Sequence, residues 1–222
     1  MKYRYLTFDC YGTLIDWRAG IEAGLRSALG EVGLGGQELL RAYVEAEQKQ
    51  ETGYKKYREV LRDTAISLST ALGKRVDGAS AEAFASSVPG WPAFTDTGDF
   101  LREMGSRGYK RYILSNIDND LLEQTIERNH LDVDGFVTAE EVGSYKPDPG
   151  HWREFMARTS ARRDGVLHVA QSVFHDIVPT QRLGIASAWV NRYHEAMPKE
   201  AHPQYVSDTL AGLAEVLNAE PA

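Results

Sequence analysis

The sequence predicts an α/β protein in which an all-helical domain is inserted into a core built on a parallel sheet. Strand-like and helix-like segments alternate after about residue 93, whereas the stretch 17–84 shows helical periodicity and no convincing strand. Parallel strands connected by helices are covered on both faces, which agrees with the short apolar strand segments of the second half. We therefore expect a Rossmann-like core formed by residues 1–15 and 93–222 and a helical cap formed by residues 16–92.

The first half of the chain contains one predicted strand followed by helices. The segment Tyr3–Phe8 is a short β-prone run that ends at Asp9. In the inserted region, apolar residues such as Ile21 and Leu25 recur at spacings of three and four, as they do on one face of a helix. The sequence Pro-Gly-Trp-Pro at 89–92 interrupts this pattern, and we expect it to return the chain to the core.

The second half alternates between helices and strands. Each predicted strand is short and apolar, and segments with helical periodicity separate most of them. The predicted strands are Tyr109–Leu114, Gly135–Thr138, Val166–Ala170 and Ser187–Val190, and the predicted helices are a segment around Phe100–Met104, Asn119–Asn129, Pro149–Thr159 and Asp208–Asn218.

Composition and charge exclude several classes of protein. The 222 residues are 42% hydrophobic and 26% charged, which is typical of a globular chain. The net charge of −7 disfavours broad binding to nucleic acid or anionic membranes. No apolar run approaches the roughly 18 residues of a membrane span. Because Cys10 is the single cysteine and the first residues lack a signal-peptide pattern, we expect a cytoplasmic protein.

Polar residues follow the predicted strands, and sites in parallel sheets form beyond the carboxyl ends of their strands. An aspartate at this edge can act as a nucleophile, and a nearby lysine would lower its pKa and keep it ionised. The hydroxyl groups of Thr13 and Ser115 are placed to donate hydrogen bonds to this carboxylate or to a substrate. The residues expected at this edge are Asp9, Ser115, Asn116, Lys146 and Asp176.

These residues stand in motifs that resemble a known family. The motifs are Asp-x-Tyr-Gly-Thr-Leu at 9–14, Ser-Asn at 115–116, Lys-Pro at 146–147 and Asp176, with a helical region between the first two. In this order they resemble the haloacid dehalogenase superfamily, and the position of the helical region matches its C1 cap class.

Two positions decide which branch of the superfamily the chain resembles. Tyr11 stands where the phosphatases carry a second aspartate as general acid, and Gln171 replaces an acidic residue of their fourth motif. Since Mg²⁺ requires several oxygen ligands, preferably charged, these losses disfavour metal-assisted phosphoryl transfer. The motif Asp-x-Tyr-Gly-Thr-Leu instead resembles the type II (S)-2-haloacid dehalogenases, which need no metal. A phosphatase that uses Mg²⁺ and a catalytically silent metabolite-binding protein remain the alternatives.

The resemblance implies a two-step reaction on a small-molecule substrate, without a cofactor, in a protein that is commonly a homodimer. Asp9 would displace the halide and form an ester, which water would hydrolyse to a 2-hydroxy acid. Asp176 would orient or deprotonate this water, and Lys146 would hold Asp9. Ser115 and Asn116 would bind the substrate carboxylate and the leaving halide, respectively.

The sequence departs from the resembled enzymes at several substrate-binding positions. Glu47 takes the place of a cap arginine that contacts the halide, and Trp152 takes the place of a tyrosine that follows the motif lysine. A carboxylate at position 47 would repel both a halide and a carboxylic acid, which predicts that simple 2-haloacids are poor substrates. We assign Tyr11, Glu47, Trp152 and His175 to the substrate-binding region. For His175, a proton shuttle and a ring packed at the sheet edge are both open.

Overall fold

The structure, a computed structural model, describes residues 2–50 and 53–219 of the chain. A six-stranded, entirely parallel sheet forms the core, with the strand order β3-β2-β1-β4-β5-β6. The predicted α/β class is therefore confirmed. The strands are β1 (Tyr5–Phe8), β2 (Lys110–Ser115), β3 (Gly135–Thr138), β4 (Val166–Ala170), β5 (Ala186–Val190) and β6 (Tyr205–Ser207).

Helices cover both faces of this sheet. Successive side chains of a strand point to opposite faces, and in β1 both directions are buried. Leu6 and Phe8 pack into one apolar cluster, whereas Tyr5 packs into a second cluster with Trp152 and Phe155. The helices of the core are α5 (Thr97–Ser106), α6 (Asn119–Arg128), α7 (Ala139–Val142), α8 (Gly150–Thr159), α9 (Val178–Leu183) and α10 (Leu210–Ala219).

Four further helices lie between β1 and β2, in the region predicted as a cap. The chain enters and leaves this region at one place, because Ile15 and Ala93 form an antiparallel bridge. The amide of Asp16 donates to the carbonyl of Pro92 at 2.8 Å, which ties the two crossings together. The cap helices are α1 (Trp17–Leu29), α2 (Gly36–Gln48), α3 (Tyr57–Ala71) and α4 (Gly78–Ala85).

The structure contains short elements that the sequence pattern did not predict, namely β6, α7, α9, a π-helical turn at Val173–Ile177 and 3₁₀ turns at Val88–Gly90 and Arg163–Gly165. Each is six residues or fewer, too short to show a periodicity. Strand β1 begins at Tyr5, two residues later than predicted. Within the described residues, no helix combines the length and the apolarity that a bilayer crossing requires.

Candidate active site

Asp9 directly follows β1 at the carboxyl edge of the sheet. Its amide still bonds to the carbonyl of Val169 on the neighbouring strand at 3.1 Å, so the strand fixes its backbone. The chain then turns sharply at Gly12, whose φ of +107° favours glycine. This turn brings the Thr13 hydroxyl back to donate to Asp9 Oδ2 at 3.0 Å. The next residue, Cys10, is buried in the apolar core.

Lys146 reaches the same carboxylate from the loop before α8. Its ammonium group donates to Asp9 Oδ1 at 2.9 Å, to Asp176 Oδ1 at 2.7 Å and to the carbonyl of Leu114 at 2.9 Å. These three bonds use every donor that an ammonium group has. Asn116 holds the loop by accepting from the Lys146 amide at 2.7 Å and donating to the Lys146 carbonyl at 3.1 Å.

The pKa shifts of Asp9, Lys146 and Asp176 follow from burial and from the attraction between the ammonium group and the two carboxylates. Burial raises the pKa of Asp9 and outweighs the opposite effect of the Lys146 ammonium, so the net shift differs from the lowered pKa that we expected. Burial works to lower the pKa of Lys146, but Asp176 and Asp9 raise it, and the ammonium stays charged. Burial opposes ionisation of Asp176 as well, yet Lys146 and His168 hold its pKa well below the ordinary range.

A buried hydrogen-bonded chain that sequence reasoning missed supports Asp176. His168 on β4 contacts Asp176 Oδ1 through Nε2 at 2.9 Å and Thr7 Oγ1 through Nδ1 at 2.9 Å. Since the Thr7 hydroxyl can donate to Nδ1, the His168 Nε2–H is left to donate to the carboxylate. Thr7 and His168 are register partners on adjacent strands. Two polar residues in otherwise apolar strands were the signal that could have identified them.

The two carboxylate oxygens of Asp176 differ in their hydrogen bonding, because Lys146 and His168 both contact Oδ1. Oδ2 is buried and has no hydrogen-bond partner among the described residues, although Asp176 lines the main cavity. A buried carboxylate oxygen without a donor is unfavourable unless a ligand or water satisfies it. This oxygen is therefore suited to accept a hydrogen bond from a molecule in the cavity.

The cavity has a volume of about 480 Å³ and lies between the cap helices α1 and α2 and the ends of the strands. Thr13 is fully buried beneath Asp9 and does not line it. Four aromatic side chains outside the predicted site, Trp17, Tyr57, Trp91 and Phe174, contribute to the wall. The predicted site residues that line the cavity are Asp9, Tyr11, Glu47, Ser115, Asn116, Lys146, His175 and Asp176.

Trp152 does not reach this cavity, so the prediction that it contacts the substrate is wrong. It is fully buried and makes an edge-to-face contact with the His168 ring, with the two ring centres 5.3 Å apart. Helix α8 presents position 152 to the sheet rather than to the strand ends. Trp152 therefore packs behind the buried histidine that holds Asp176.

Glu47 and His175 both line the cavity. Glu47 Oε1 accepts hydrogen bonds from the hydroxyls of Tyr43 at 2.7 Å and Tyr57 at 2.5 Å. Burial raises the pKa of Glu47 despite these two donors. His175 contacts the Ser172 hydroxyl through Nδ1 at 3.1 Å, and burial lowers its pKa, so the imidazole is neutral at pH 7.

The donor set does not fit a magnesium ion. Lys146 joins the two carboxylates that would have to bind it, and a cation beside an ammonium group is repelled. Tyr11 bonds through its hydroxyl to Thr125 Oγ1 at 2.9 Å, and Gln171 supplies only a neutral amide. Among the described residues, no cluster of three or more His, Cys, Asp or Glu side chains is arranged to hold a metal ion.

The fold and this carboxylate-based site agree with a family comparison. Residues 3–184 match the model of the haloacid dehalogenase-like hydrolases. The chain belongs to this family of hydrolases.

Individual relatives are similar over nearly the full chain at low identity. An (S)-2-haloacid dehalogenase from Pseudomonas putida is 24% identical, with 94% of each chain covered. An (S)-2-haloacid dehalogenase from Pseudomonas fluorescens is 23% identical, with 93% of each chain covered. The solved structure of L-2-haloacid dehalogenase from Xanthobacter autotrophicus, with chloropropionic acid covalently bound, superposes with a TM-score of 0.86 at 19% identity. That match covers 99% of this chain and 100% of the other, which shows the shared fold.

Proposed function

We propose that this hydrolase is a metal-independent dehalogenase of the 2-haloacid type. In the first step an Asp9 oxygen bonds to the halogen-bearing carbon, the carbon–halogen bond breaks and halide leaves with the bonding electrons. In the second step water adds to the Asp9 carbonyl carbon and the ester bond breaks. A 2-hydroxy acid then leaves, taking one of the protons of the water, the other proton passes to solvent, and the Asp9 carboxylate is restored.

The observation that carries this proposal is the pairing of two carboxylates through one lysine. Lys146 joins Asp9 Oδ1 and Asp176 Oδ1, and the buried Oδ2 of Asp176, a residue that lines the cavity, has no hydrogen-bond partner among the described residues. Because Lys146 and His168 hold the pKa of Asp176 well below its ordinary range, this carboxylate is a weak base and orients the water rather than keeping its proton. His175 is a neutral imidazole at the same cavity and is the better candidate to relay that proton.

Ser115 and Asn116 are the proposed contacts for the substrate carboxylate and the halide. Both line the cavity beside Asp9. The Asn116 amide already binds the Lys146 backbone through its oxygen and one N–H, so at most its second N–H is available to the halide. Its larger role in this proposal is to hold the loop that carries Lys146.

The decisive experiment is a single turnover in H₂¹⁸O with enzyme in excess over a 2-bromo acid, followed by mass spectrometry of the peptide that contains Asp9. We expect ¹⁸O in the Asp9 carboxyl group, because water attacks its carbonyl carbon. Halide release should survive EDTA and vanish in Asp9→Asn. Turnover without label at Asp9 would exclude the ester intermediate, and phosphate-ester hydrolysis that requires Mg²⁺ would favour a phosphatase instead.

We further propose that residues 16–92 form a separate cap and that the protein is a cytoplasmic homodimer. The adjacent chain crossings at Ile15 and Ala93 support the cap boundary, and the composition supports the location. Light scattering during size-exclusion chromatography tests the dimer, for which a mass equal to one chain would count against the proposal.

A further inference from the structure

Glu47 is a carboxylate of the cap that lines the cavity of about 480 Å³, called the chamber below, and no cationic side chain among the described residues pairs with it. It lies near the end of α2, lines the cavity and uses Oε1 to accept from both Tyr43 and Tyr57. Neither tyrosine carries a positive charge, and no lysine or arginine among the described residues forms an ion pair with Glu47. Two phenol donors stabilise a carboxylate through hydrogen bonds but leave its negative charge uncompensated.

The rest of the chamber does not supply the missing positive charge. Among the described residues that line the chamber, Lys146 is the only cation, and it pairs with Asp9 and Asp176. Counting these two carboxylates with Glu47, the wall carries more negative than positive charge. An anionic substituent on the cap side would therefore be repelled, and an apolar one would leave the Glu47 carboxylate without solvent.

Aromatic side chains surround the same space. Trp17, Tyr57 and Trp91 line the chamber together with Tyr11. Trp17 lies beside α2, because Trp17, Val44 and Gln48 line both this chamber and a neighbouring cavity of about 450 Å³. Aromatic faces attract cations, most strongly for tryptophan, and combine with a carboxylate in sites that bind alkylammonium groups.

We propose that the cap side of the cavity binds an organic cation, an alkylammonium group of the trimethylammonium type, carried by the substrate of this enzyme. The inference rests on the proposed function, since it names the substrate class of that site. The halogen-bearing carbon lies at Asp9, and the ammonium group lies between Glu47 and the aromatic wall. A chamber of about 480 Å³ has room for such an extended substrate, several times larger than a two- or three-carbon acid requires.

Calorimetric titration with choline and with its neutral isostere, 3,3-dimethylbutan-1-ol, tests the cation site without turnover. The two probes have the same shape and differ in the charge at the quaternary centre. We expect choline to bind the unmodified enzyme at least about tenfold more tightly than the isostere, which is the range of a desolvated cation–aromatic contact. Glu47→Gln should remove most of this preference and leave binding of the isostere unchanged.

Glu45→Gln is the matched control, because it removes the same charge from an exposed position on the same helix. It should leave the preference for choline intact. Equal binding of choline and its isostere to the unmodified enzyme would overturn the inference, and this comparison needs no variant to fold. A preference that persists in Glu47→Gln, or that Glu45→Gln removes equally, would also overturn it.

Turnover then separates this inference from the proposed function. A 2-bromo acid whose chain ends in a trimethylammonium group is compared with the same acid ending in a tert-butyl group. We expect a kcat/KM ratio for halide release of at least about ten in favour of the cation, falling toward one in Glu47→Gln. Halide release from both acids at equal efficiency would sustain the dehalogenase and overturn the cation site. Choline selectivity without halide release from either acid would contradict the dehalogenase alone.

Discussion

Asp176 shows how one buried carboxylate can serve structure and chemistry through different oxygens. Oδ1 accepts from Lys146 and His168, and these bonds account for its strongly lowered pKa. Oδ2 has no partner among the described residues. The first oxygen therefore fixes the side chain, and the second is the oxygen that we propose to orient the hydrolytic water.

Replacing Asp176 by Asn should separate the two steps of the proposed reaction. Asp9 can still displace halide, but hydrolysis of the ester loses the carboxylate that orients water. We expect a burst of about one halide per active site and a steady-state rate lower by roughly 10²–10⁴-fold. Stopped-flow halide detection and intact-protein mass spectrometry measure the burst and the ester.

Asp164→Asn is the control for this variant, because Asp164 is an exposed carboxylate that pairs with the exposed Arg162. Its kinetics should match those of the unmodified enzyme. Loss of the burst in Asp176→Asn, in a protein with an unchanged circular dichroism spectrum, would show that Asp176 is needed for the displacement itself.

The raised pKa of Asp9 has a consequence for the pH profile. A protonated carboxyl is a poor nucleophile, so kcat/KM should fall as the pH is lowered through this pKa. Because burial raises the pKa of Asp9, the midpoint of this fall should lie above 3.8, the ordinary value for Asp. Initial rates between pH 3 and 8, with far-UV circular dichroism over the same range, measure it. A midpoint at or below 3.8 in folded protein would contradict the burial effect.

At the scale of elements, helix α1 forms part of the cavity wall through a close contact of its backbone. Gly20 on α1 lies against Trp91, and a Cβ at this position would come within 2.2 Å of the indole ring. Trp91 is fixed in turn by a hydrogen bond from Nε1 to Ser87 Oγ at 3.1 Å. Its ring also makes an edge-to-face contact with the Tyr11 ring, with the two ring centres 5.8 Å apart. The absence of a side chain at Gly20 therefore lets this wall close.

Gly20→Ala should destabilise the protein, although alanine normally stabilises a helix relative to glycine by about 0.5–1 kcal/mol. The new methyl group displaces Trp91, and overpacking of this kind costs about 1–3 kcal/mol. Chemical denaturation measures the free energy of unfolding. Gly78→Ala is the control, since a Cβ at Gly78 meets open space and should leave stability unchanged or slightly higher. Equal or greater stability of Gly20→Ala would show that Trp91 moves freely.

Arg192, which follows β5, joins the turn after β1 to the segment before α5. Its guanidinium donates twice to the Thr13 carbonyl, at 3.0 and 2.8 Å, and pairs with Asp96 at 2.9 Å. The turn that carries Thr13 is thereby tied to the segment where the chain returns from the cap. This contact couples the position of the nucleophile to the base of the cap.

At the scale of the molecule, one core side chain, Asp118, holds the cap domain by accepting hydrogen bonds from the first backbone amides of helix α3. Asp118 precedes α6 and accepts from the amides of Tyr57 and Arg58, at 2.8 and 2.9 Å, at the start of α3. Asp118 is buried, and burial raises its pKa. Any opening of the cavity by cap movement has to break or stretch these bonds.

Asp118→Ala should loosen the cap. Loss of a helix-capping carboxylate costs about 0.5–2 kcal/mol, and the amides of Tyr57 and Arg58 should exchange hydrogen faster. Hydrogen exchange followed by mass spectrometry measures this at the start of α3. Asp120→Ala is the control, because it removes only an exposed ion pair with the same Arg58. Equal exchange in both variants would show that Asp118 does not hold the cap.

The sequence by itself determined the features that are encoded locally. Alternating segments defined the α/β core, the helical periodicity of 17–84 defined the inserted region, and Asp9 was placed by the strand that it ends. The order of the motifs indicated that Lys146 and Asp176 meet Asp9, because parallel strands end at the same edge of a sheet.

Tertiary structure alone decided the environment of each group. The burial of Trp152 against His168, the bond from Tyr57 on α3 to Glu47 on α2, and the oxygen of Asp176 that has no partner among the described residues all depend on contacts between separate segments. The net pKa shift of Asp9 likewise depends on tertiary structure, because burial of the carboxyl group raises the pKa by more than the Lys146 ammonium group lowers it. Residue type and spacing define which chemical groups share an edge, whereas desolvation and orientation arise only when the whole chain packs.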